Sequence, residues 1–342
     1  MKSIHIGGAS GFWGDSYMAA PQLVGAKKID YLVFDYLAEI TMSILARAKA
    51  KSPDQGYALD FVDPTLKLVL PTCAQRGIRI VSNAGGINPV ACAKAIEELI
   101  SRLGLSMRVA VVTGDDLSGR VDELRSMNVR EMSTGQPLPS TLMSMNAYLG
   151  AFPIARALDA GADIVITGRC VDSAVTLGPC IHAFGWKEND YDALAGGSLA
   201  GHIIECGAQA TGGLLTDWRR VGDWSNIGYP LAVREDGSFR VTKPERTGGL
   251  VCRESVAEQL VYEIGDPTSY ILPDVVCDFS QVTIDDVSPD VVEVANAKGR
   301  APTDKLKVCA TYIDGYRLTC SLTIRGREAD AKARATFEAV LK

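Results

Sequence analysis

Short apolar runs alternate with longer amphipathic segments through the first 170 residues of the chain. This alternation is typical of strands that are each followed by a helix. The apolar runs predict five strands, at residues 4–6, 31–34, 78–82, 108–113 and 163–167. The intervening segments predict five helices, at residues 35 to about 50, 64–76, 88–103, 117–127 and 149–160.

Local signals support the ends of these helices. Asn88 followed by Pro89 is typical of a helix start, because the Asn side chain caps free N–H groups and proline fits the first turn. Gly77 and Gly161 are typical stops, because glycine adopts the left-handed conformation that ends many helices. Apolar strands alternating with helices predict a parallel sheet covered on both faces. We therefore expect an α/β domain with a doubly wound, mostly parallel sheet over residues 1–215.

The pattern changes from about residue 216. A hairpin is predicted with its turn at Asp236-Gly237, and a second antiparallel pair is predicted around Asp314-Gly315. One helix is expected at residues 253–264 and a last one at about 328–341, so residues 216–342 are predicted to form a smaller α+β lobe with antiparallel hairpins. The last helix has no stop signal, which favours a chain that continues in a longer parent protein.

Composition narrows the classes of function. The chain has 342 residues, 47% of them hydrophobic, and a formal net charge of −6. This charge argues against nucleic-acid binding, which depends on Lys and Arg neutralising phosphates. No run of 18 apolar residues and no secretory signal pattern occurs, so we expect a cytoplasmic protein without a membrane segment. The nine cysteines include no C-x-x-C pair and are expected to be small buried hydrophobes in a reducing compartment.

Every predicted strand is followed by a loop that carries glycine or a carboxylate. The loops read GGASGFWGDS, DYLAE, NAGGINP, GDD and GRCVDS. A single such loop is explained by a turn that needs positive φ. Five of them together predict a ligand site, because ligands of open parallel sheets bind beyond the carboxyl ends of the strands. Backbone N–H groups in these loops can face a negatively charged ligand.

The glycine-rich loops carry no nucleotide fingerprint. The first loop fits neither G-x-G-x-x-G nor G-x-x-x-x-G-K-[ST], so no nucleotide cofactor is predicted. His202, Glu205 and Cys206 have a spacing compatible with a metal site, but no second pair of ligands is evident. We expect no cofactor beyond CoA as part of a substrate, with a divalent metal left open.

Four carboxylates are candidate catalytic groups, namely Asp35, Asp115, Asp116 and Asp172. Asp35 lies four residues before Glu39, so the two form an acid/base pair or a helix-dipole complement with a solvated neighbour. Asp115 and Asp116 end an apolar strand and are suited to hold a cation or a substrate hydroxyl. Arg169 and Asp172 form either an internal salt bridge or a clamp for a carboxylate or phosphate.

The candidate substrate-binding residues come mostly from the glycine-rich loops. They are Gly8, Ser10, Gly11, Trp13, Asn83, Gly85, Gly86, Asn146, Arg169, Thr247 and Gly248. Ser10 is a nucleophile or an anion contact. Trp13 packs an apolar substrate tail or anchors its own loop. Thr247 and Gly248 precede a helix whose N-terminus holds an anion, or they form only a turn.

Several long motifs resemble one known family. They are GASGFWGDS, YLVFDYLAEITMSILARAKA, SNAGGINP, VITGRCVDSAVTLGPCIHAFGW, AGHIIECGAQATGG, TGGLV, EQLVYEIGDP and PDVVCDF. Together they resemble the acyclic terpene utilisation protein A family over nearly the whole chain, to about Tyr316. The resemblance implies a role in breaking down citronellol- and geraniol-like branched acids. It also implies a partner, either a small ferredoxin-like domain or a separate small protein.

These observations favour a cytosolic catabolic enzyme that acts on a branched carboxylate or acyl-CoA. Lyase or hydratase chemistry is expected, because a base and an oxyanion stabiliser beside a thioester are what such loops can supply. The alternative is a non-catalytic substrate-binding or assembly subunit of a multi-protein catabolic complex. A nucleotide-dependent ligase is a third reading, which lacks a lysine-bearing phosphate motif. A homo-oligomer is also expected.

Overall fold

The computed structural model describes residues 3–234 and 238–342 of the chain. It forms two compact units, Met1–Tyr312 and Ile313–Lys342. The first unit is mixed α/β, and the second contains one helix. Among the described residues, no helix combines the length and the apolar character needed to cross a bilayer.

The first unit contains fourteen strands and nine α-helices within the described ranges. The strands are β1 (Ile4–Gly8), β2 (Tyr31–Phe34), β3 (Arg79–Ser82), β4 (Val109–Val112), β5 (Ser144–Ala147), β6 (Ile164–Thr167), β7 (Leu231–Arg234), β8 (Ser238–Thr242), β9 (Tyr270–Ile271), β10 (Val276–Asp278), β11 (Thr283–Ser288), β12 (Val291–Ala295), β13 (Lys298–Arg300) and β14 (Val308–Thr311). The helices are α1 (Ala19–Val24), α2 (Glu39–Lys51), α3 (Lys67–Arg76), α4 (Pro89–Arg102), α5 (Val121–Ser126), α6 (Phe152–Asp159), α7 (Ala174–Phe184), α8 (Tyr191–Ile204) and α9 (Arg253–Val261). The second unit contains α10 (Ala329–Val340).

Nine of the strands form one mixed sheet in the order β11-β12-β8-β7-β1-β2-β3-β6-β4. Strands β1, β2, β3, β6 and β4 are parallel, and β7 joins antiparallel to β1. Strands β8, β12 and β11 continue the antiparallel side. The sheet thus includes strands from both sides of residue 215, where the sequence pattern predicts a change of organisation. The compact units divide at residue 312 instead.

Alternating side chains of the parallel strands pack on opposite faces of the sheet. Leu32 and Ile80 contribute to the core with α1, α3 and α4. Val33, Val81 and Val165 contribute to the core with α6, α7 and α8. Each such buried aliphatic side chain stabilises the fold by roughly 1.5–3 kcal/mol. This packing fixes the positions of the loops that leave the strand ends.

The five predicted parallel strands are confirmed within about two residues at their ends. The strands β7 and β8 of the first predicted hairpin are also confirmed as an antiparallel pair, and its turn at Asp236-Gly237 lies outside the described residues.

The bounds of α7 and α8 were not predicted, because these helices contain several glycines. Those glycines let the two helices approach closely. A Cβ atom at Gly197 would lie 2.6 Å from Leu177.

The second predicted antiparallel pair, around Asp314-Gly315, is wrong. Its first half forms β14, but β14 pairs with β5, and residues 312–325 contain no strand. The pairing with β5 buries Cys309 against the side chains of α2 and joins the hydroxyls of Ser144 and Thr311 at 2.7 Å. A long-range partner therefore replaces the local hairpin partner.

Candidate functional site

The parallel strands end at one edge of the sheet, which we call the carboxyl edge. Seven of the predicted site residues are connected there by hydrogen bonds or an ion pair. We call them the carboxyl-edge cluster: Ser10, Asp35, Asn83, Asp115, Asn146, Arg169 and Asp172. The cluster joins loops that are far apart in the sequence, as the strand order requires.

Asp35 lies at the centre of three of these loops. Its Oδ1 accepts hydrogen bonds from Asn83 Nδ2 at 2.6 Å and from the backbone N–H of Leu37 at 3.3 Å. The hydroxyl of Ser10 donates to the backbone oxygen of Asp35 at 2.9 Å. The loops after β1, β2 and β3 are therefore held together around one carboxyl group.

Burial raises the pKa of Asp35 well above its usual range, and the nearby charges of Asp172 and Glu205 raise it further. The hydrogen bond from Asn83 and the charge of Arg169 oppose this shift without cancelling it. Asp35 Oδ2 has no hydrogen-bond partner among the described residues and is not among the buried atoms sealed from solvent. A mostly buried carboxyl group therefore presents one oxygen to solvent and favours its protonated form.

Arg169 is only 2% exposed, although it carries a charge. One of its terminal nitrogens donates to Leu37 O at 2.9 Å and to Asp172 Oδ1 at 3.0 Å. Its guanidinium group lies 4.1 Å from the centre of the Tyr148 ring, a cation–π distance. Arg169 Nε is buried and has no partner among the described residues. The internal salt bridge with Asp172 is thus observed, and one buried N–H of Arg169 is unpaired in the described part of the chain.

Asp115 and Asn146 form the other side of the cluster. Asp115 Oδ2 accepts from the backbone N–H of Arg169 and from Asn146 Nδ2, both at 2.9 Å. Burial raises the pKa of Asp115. Asn146 Oδ1 is buried without a partner. Asp116 is exposed and accepts from the backbone N–H of Ser118 at 2.9 Å, so it points away from this group.

The predicted binding glycines allow close approach between backbone segments. A Cβ atom at Gly8 would lie 2.4 Å from the carbonyl oxygen of Ile204, and one at Gly11 would lie 2.7 Å from the backbone of Cys206. The end of α8 therefore packs directly on the first loop. A Cβ atom at Gly85 would lie 2.4 Å from Thr167 O, and Gly86 has a φ of +54°.

Three other predicted residues lie outside the cluster. The indole N–H of Trp13 donates to Asp60, and this bond anchors the first loop, in which Trp13 lies. Thr247 Oγ1 donates to Pro244 O at 2.6 Å, and the backbone N–H of Gly248 donates to Asn226 O at 2.8 Å. Within residues 3–234 and 238–342, no hydrogen bond connects the turn at 247–248 to the carboxyl-edge cluster.

Sequence reasoning missed the surroundings of Tyr148. Its hydroxyl donates to Glu39 Oε1, which also accepts from Lys307 Nζ at 3.0 Å. Burial opposes ionisation of Glu39, but these two donors and the backbone N–H of Glu39 outweigh it and lower its pKa to about 2. Glu39 therefore pairs with Lys307 and Tyr148 and not with Asp35. No local signal reveals Lys307, which is 268 residues away along the chain.

A concave surface lies away from the carboxyl edge. A groove of about 750 Å³ is lined by residues of α6, of α7 and of the segment after α7, including His182 and Trp186. His182 contacts Arg79, the first residue of β3, so this groove lies at the opposite edge of the sheet. The carboxyl edge is the candidate site, because buried charged groups with unpaired polar atoms gather there. In the described part of the chain, no group of three or more His, Cys, Asp and Glu side chains is arranged to hold a metal ion.

The fold and the cluster define a mixed α/β protein with a buried carboxyl–arginine site at the carboxyl edge of its sheet. The chain belongs to the acyclic terpene utilisation family, AtuA, whose family model matches residues 4–342. No curated protein and no solved structure matches the chain. The family expected from the sequence motifs is therefore confirmed.

Proposed function

We propose that this protein is a catabolic enzyme that acts on a branched carboxylate or its acyl-CoA thioester by lyase or hydratase chemistry. The observation that carries the proposal is Asp35, a buried carboxyl group with a raised pKa and one oxygen in contact with solvent. A perturbed carboxyl beside a buried cation is a frequent property of catalytic sites. Membership of the acyclic terpene utilisation family supports a branched substrate.

Asp35 is suited to act as a general acid. Because burial raises its pKa, the protonated form of Asp35 is favoured, and Oδ2 can deliver that proton to a substrate carbon or oxygen. In the reverse direction, the same oxygen accepts the proton. Asn83 and the backbone N–H of Leu37 hold Oδ1, so the carboxyl keeps one orientation.

Arg169 is suited to stabilise the substrate anion electrostatically. Its buried positive charge, which acts on Asp35, favours a carboxylate or thioester oxygen as negative charge develops there. The ion pair with Asp172 and the Tyr148 ring hold the guanidinium plane in place. CoA enters this scheme only as part of the substrate. A small ferredoxin-like partner and a homo-oligomer belong to the same proposal.

Ligand-induced stabilisation and turnover test the proposal together. The panel contains citronellic and geranic acids, their CoA thioesters, free CoA and ATP, with the wild type, Asp35→Asn and Asp285→Asn. Asp285 is an exposed carboxylate on β11 and serves as the matched control. A ligand at about 100 times its Kd adds roughly 2.7 kcal/mol and raises Tm by a few degrees.

We expect a thioester or acid to raise the Tm of all three proteins and to be turned over by the wild type and Asp285→Asn. Asp35→Asn should lose about 100-fold in kcat. A Tm shift without turnover in the wild type would favour the non-catalytic binding subunit. A shift with ATP alone would favour a ligase. No shift with any acid or thioester would overturn the proposed substrate class.

A further inference from the structure

A second buried carboxyl group lies at the end of α8. Glu205 follows the last residue of this helix, and its Oε1 lies 2.9 Å from Nδ1 of His202. His202 Nε2 lies 3.2 Å from the carbonyl oxygen of Leu260 on α9. His202 is 1% exposed and Glu205 is 8% exposed. Two helices thus fix the imidazole ring, and the ring fixes one oxygen of the carboxyl.

The end of α8 is held against the carboxyl edge. The close approach of Gly8 to Ile204 and of Gly11 to Cys206 holds the backbone on either side of Glu205 against the end of β1 and the first loop. The charge of Glu205 also raises the pKa of Asp35, so the two carboxyl groups interact electrostatically. Glu205 therefore belongs to the same region as the carboxyl-edge cluster.

The second oxygen of Glu205 is free. Oε2 makes no hydrogen bond to the described residues and is not among the buried atoms sealed from solvent. Asp35 Oδ2 has the same property. Two mostly buried carboxyl groups from different elements thus each present one free oxygen to solvent.

We infer that Glu205 is a second catalytic carboxyl of this site and that His202 is its positioning residue. The inference rests on the proposed function, since Glu205 needs a substrate beside Asp35 on which to act. In hydration of an α,β-unsaturated thioester, Glu205 Oε2 accepts a proton from water while the water oxygen bonds to the β carbon. The π electron pair shifts to the α carbon, which takes the proton of Asp35. One water molecule is added, and a proton returns from Glu205 to Asp35 through solvent.

The hydrogen-bond pattern explains how His202 positions Glu205. A backbone carbonyl only accepts, so Nε2 of His202 must carry a hydrogen. Nδ1 and Oε1 then share a second proton, which lies on His202 when Glu205 is ionised. Burial raises the pKa of Glu205 to about 7, and His202 opposes that shift. Six other titratable groups interact electrostatically with this pair, namely Asp35, Asp172, Glu263, Cys206, Tyr262 and Tyr270.

The pH dependence of turnover tests the inference. The variants are Glu205→Gln, Glu205→Asp, His202→Leu and His202→Asn, with Asp285→Asn as the control because Asp285 is an exposed carboxylate on β11. Circular dichroism and Tm confirm folding of each variant. The substrate is the CoA thioester that the wild type turns over.

Glu205→Gln should lose about 100-fold or more in kcat with little change in KM, whereas Asp285→Asn stays within about threefold of wild type. The wild-type rate should fall as the pH drops below about 7, and Glu205→Asp should keep this dependence at a lower rate. His202→Leu should shift the fall to higher pH, because the charge that opposes the raised pKa is gone. His202→Asn should restore part of the rate, because its amide can donate to Glu205.

Two results separate the failure of this inference from that of the proposed function. An active wild type with a folded Glu205→Gln that retains more than a third of its rate overturns the role of Glu205 alone. An unchanged pH profile in His202→Leu overturns the positioning role. A wild type that turns over no acid or thioester overturns the proposed function, and the inference with it.

Discussion

Asn83 Nδ2 donates to Asp35 Oδ1 across 2.6 Å, and Asn83 Oδ1 accepts from the backbone N–H that follows Asp35. The asparagine thus holds both the carboxyl group and the backbone of the neighbouring strand end. Both residues are buried. The orientation of the proposed acid depends on a residue of the next strand.

Replacing Asn83 by Leu should therefore destabilise the protein. The buried N–H of Tyr36 loses its acceptor and Asp35 loses a donor, and each loss costs roughly 1–3 kcal/mol. Urea unfolding measures the free energy of unfolding. Asn189→Ala is the control, because Asn189 is exposed and should change stability by less than about 0.5 kcal/mol. Equal stability of the two variants would contradict the role of Asn83.

Asp35→Asn should gain stability relative to the wild type as the pH rises. The folded protein raises the pKa of Asp35 above its unfolded value of about 3.9, so the native state binds this proton more tightly. The contribution of Asp35 to the free energy of unfolding is complete below about pH 4 and is lost as the pH rises toward the pKa of Asp35 in the folded protein. Asparagine does not ionise and avoids this loss.

The measurement is the Tm difference between Asp35→Asn and the wild type from pH 4 to pH 8. It should become more positive with pH, whereas the exposed control Asp285→Asn should show a nearly constant difference. A Tm difference for Asp35→Asn that falls with pH would mean that Asp35 is ionised and stabilising in the folded protein.

Tyr148→Phe should raise the pKa of Glu39 from about 2 toward the ordinary value of about 4.3. The variant removes the phenol donor and keeps the ring that contacts Arg169 and Lys307. A carbon-13 NMR titration of labelled glutamate carboxyls measures the change. Tyr312→Phe, at an exposed tyrosine, should leave the Glu39 titration unaltered. An unshifted Glu39 resonance in Tyr148→Phe would show that Lys307 and the backbone N–H of Glu39 lower this pKa without the phenol.

Gly8→Ala should destabilise the carboxyl edge. Its new Cβ would lie 2.4 Å from the carbonyl oxygen of Ile204, so α8 must move away from the first loop. Such overpacking costs roughly 1–3 kcal/mol. Gly265→Ala is the matched control, because a Cβ atom there meets no heavy atom within 4 Å. Thermal and urea unfolding compare the two, and a tolerated Gly8→Ala would contradict the close packing.

Local sequence patterns were sufficient for the parallel half of the sheet. The strands that end at Phe34 and Ser82 are short, apolar and followed by polar residues, so periodicity and loop chemistry coincide. The same logic correctly brought Asp35, Asn83 and Arg169 to one edge, since parallel strands end on the same side.

Local sequence patterns did not predict strand pairs between distant parts of the chain. Strand β14 has a good hairpin turn after it, yet it pairs with β5 because that contact buries Cys309. Lys307 immediately precedes β14, so the same long-range pairing brings it to Glu39. The distinction between Asp115, which is buried, and Asp116, which is exposed, also depends on how the segment after β4 bends.

The antiparallel contact between β1 and β7 has a consequence for synthesis of the chain. Gly7 lies opposite Leu231, so one side of β1 has no hydrogen-bonding partner until β7 has been synthesised. Until then its N–H and C=O groups form an open edge that other nascent chains can pair with. We expect a chain that stops before β7 to aggregate. We also expect the yield of native protein to fall when chaperones bind the exposed edge of β1 too late.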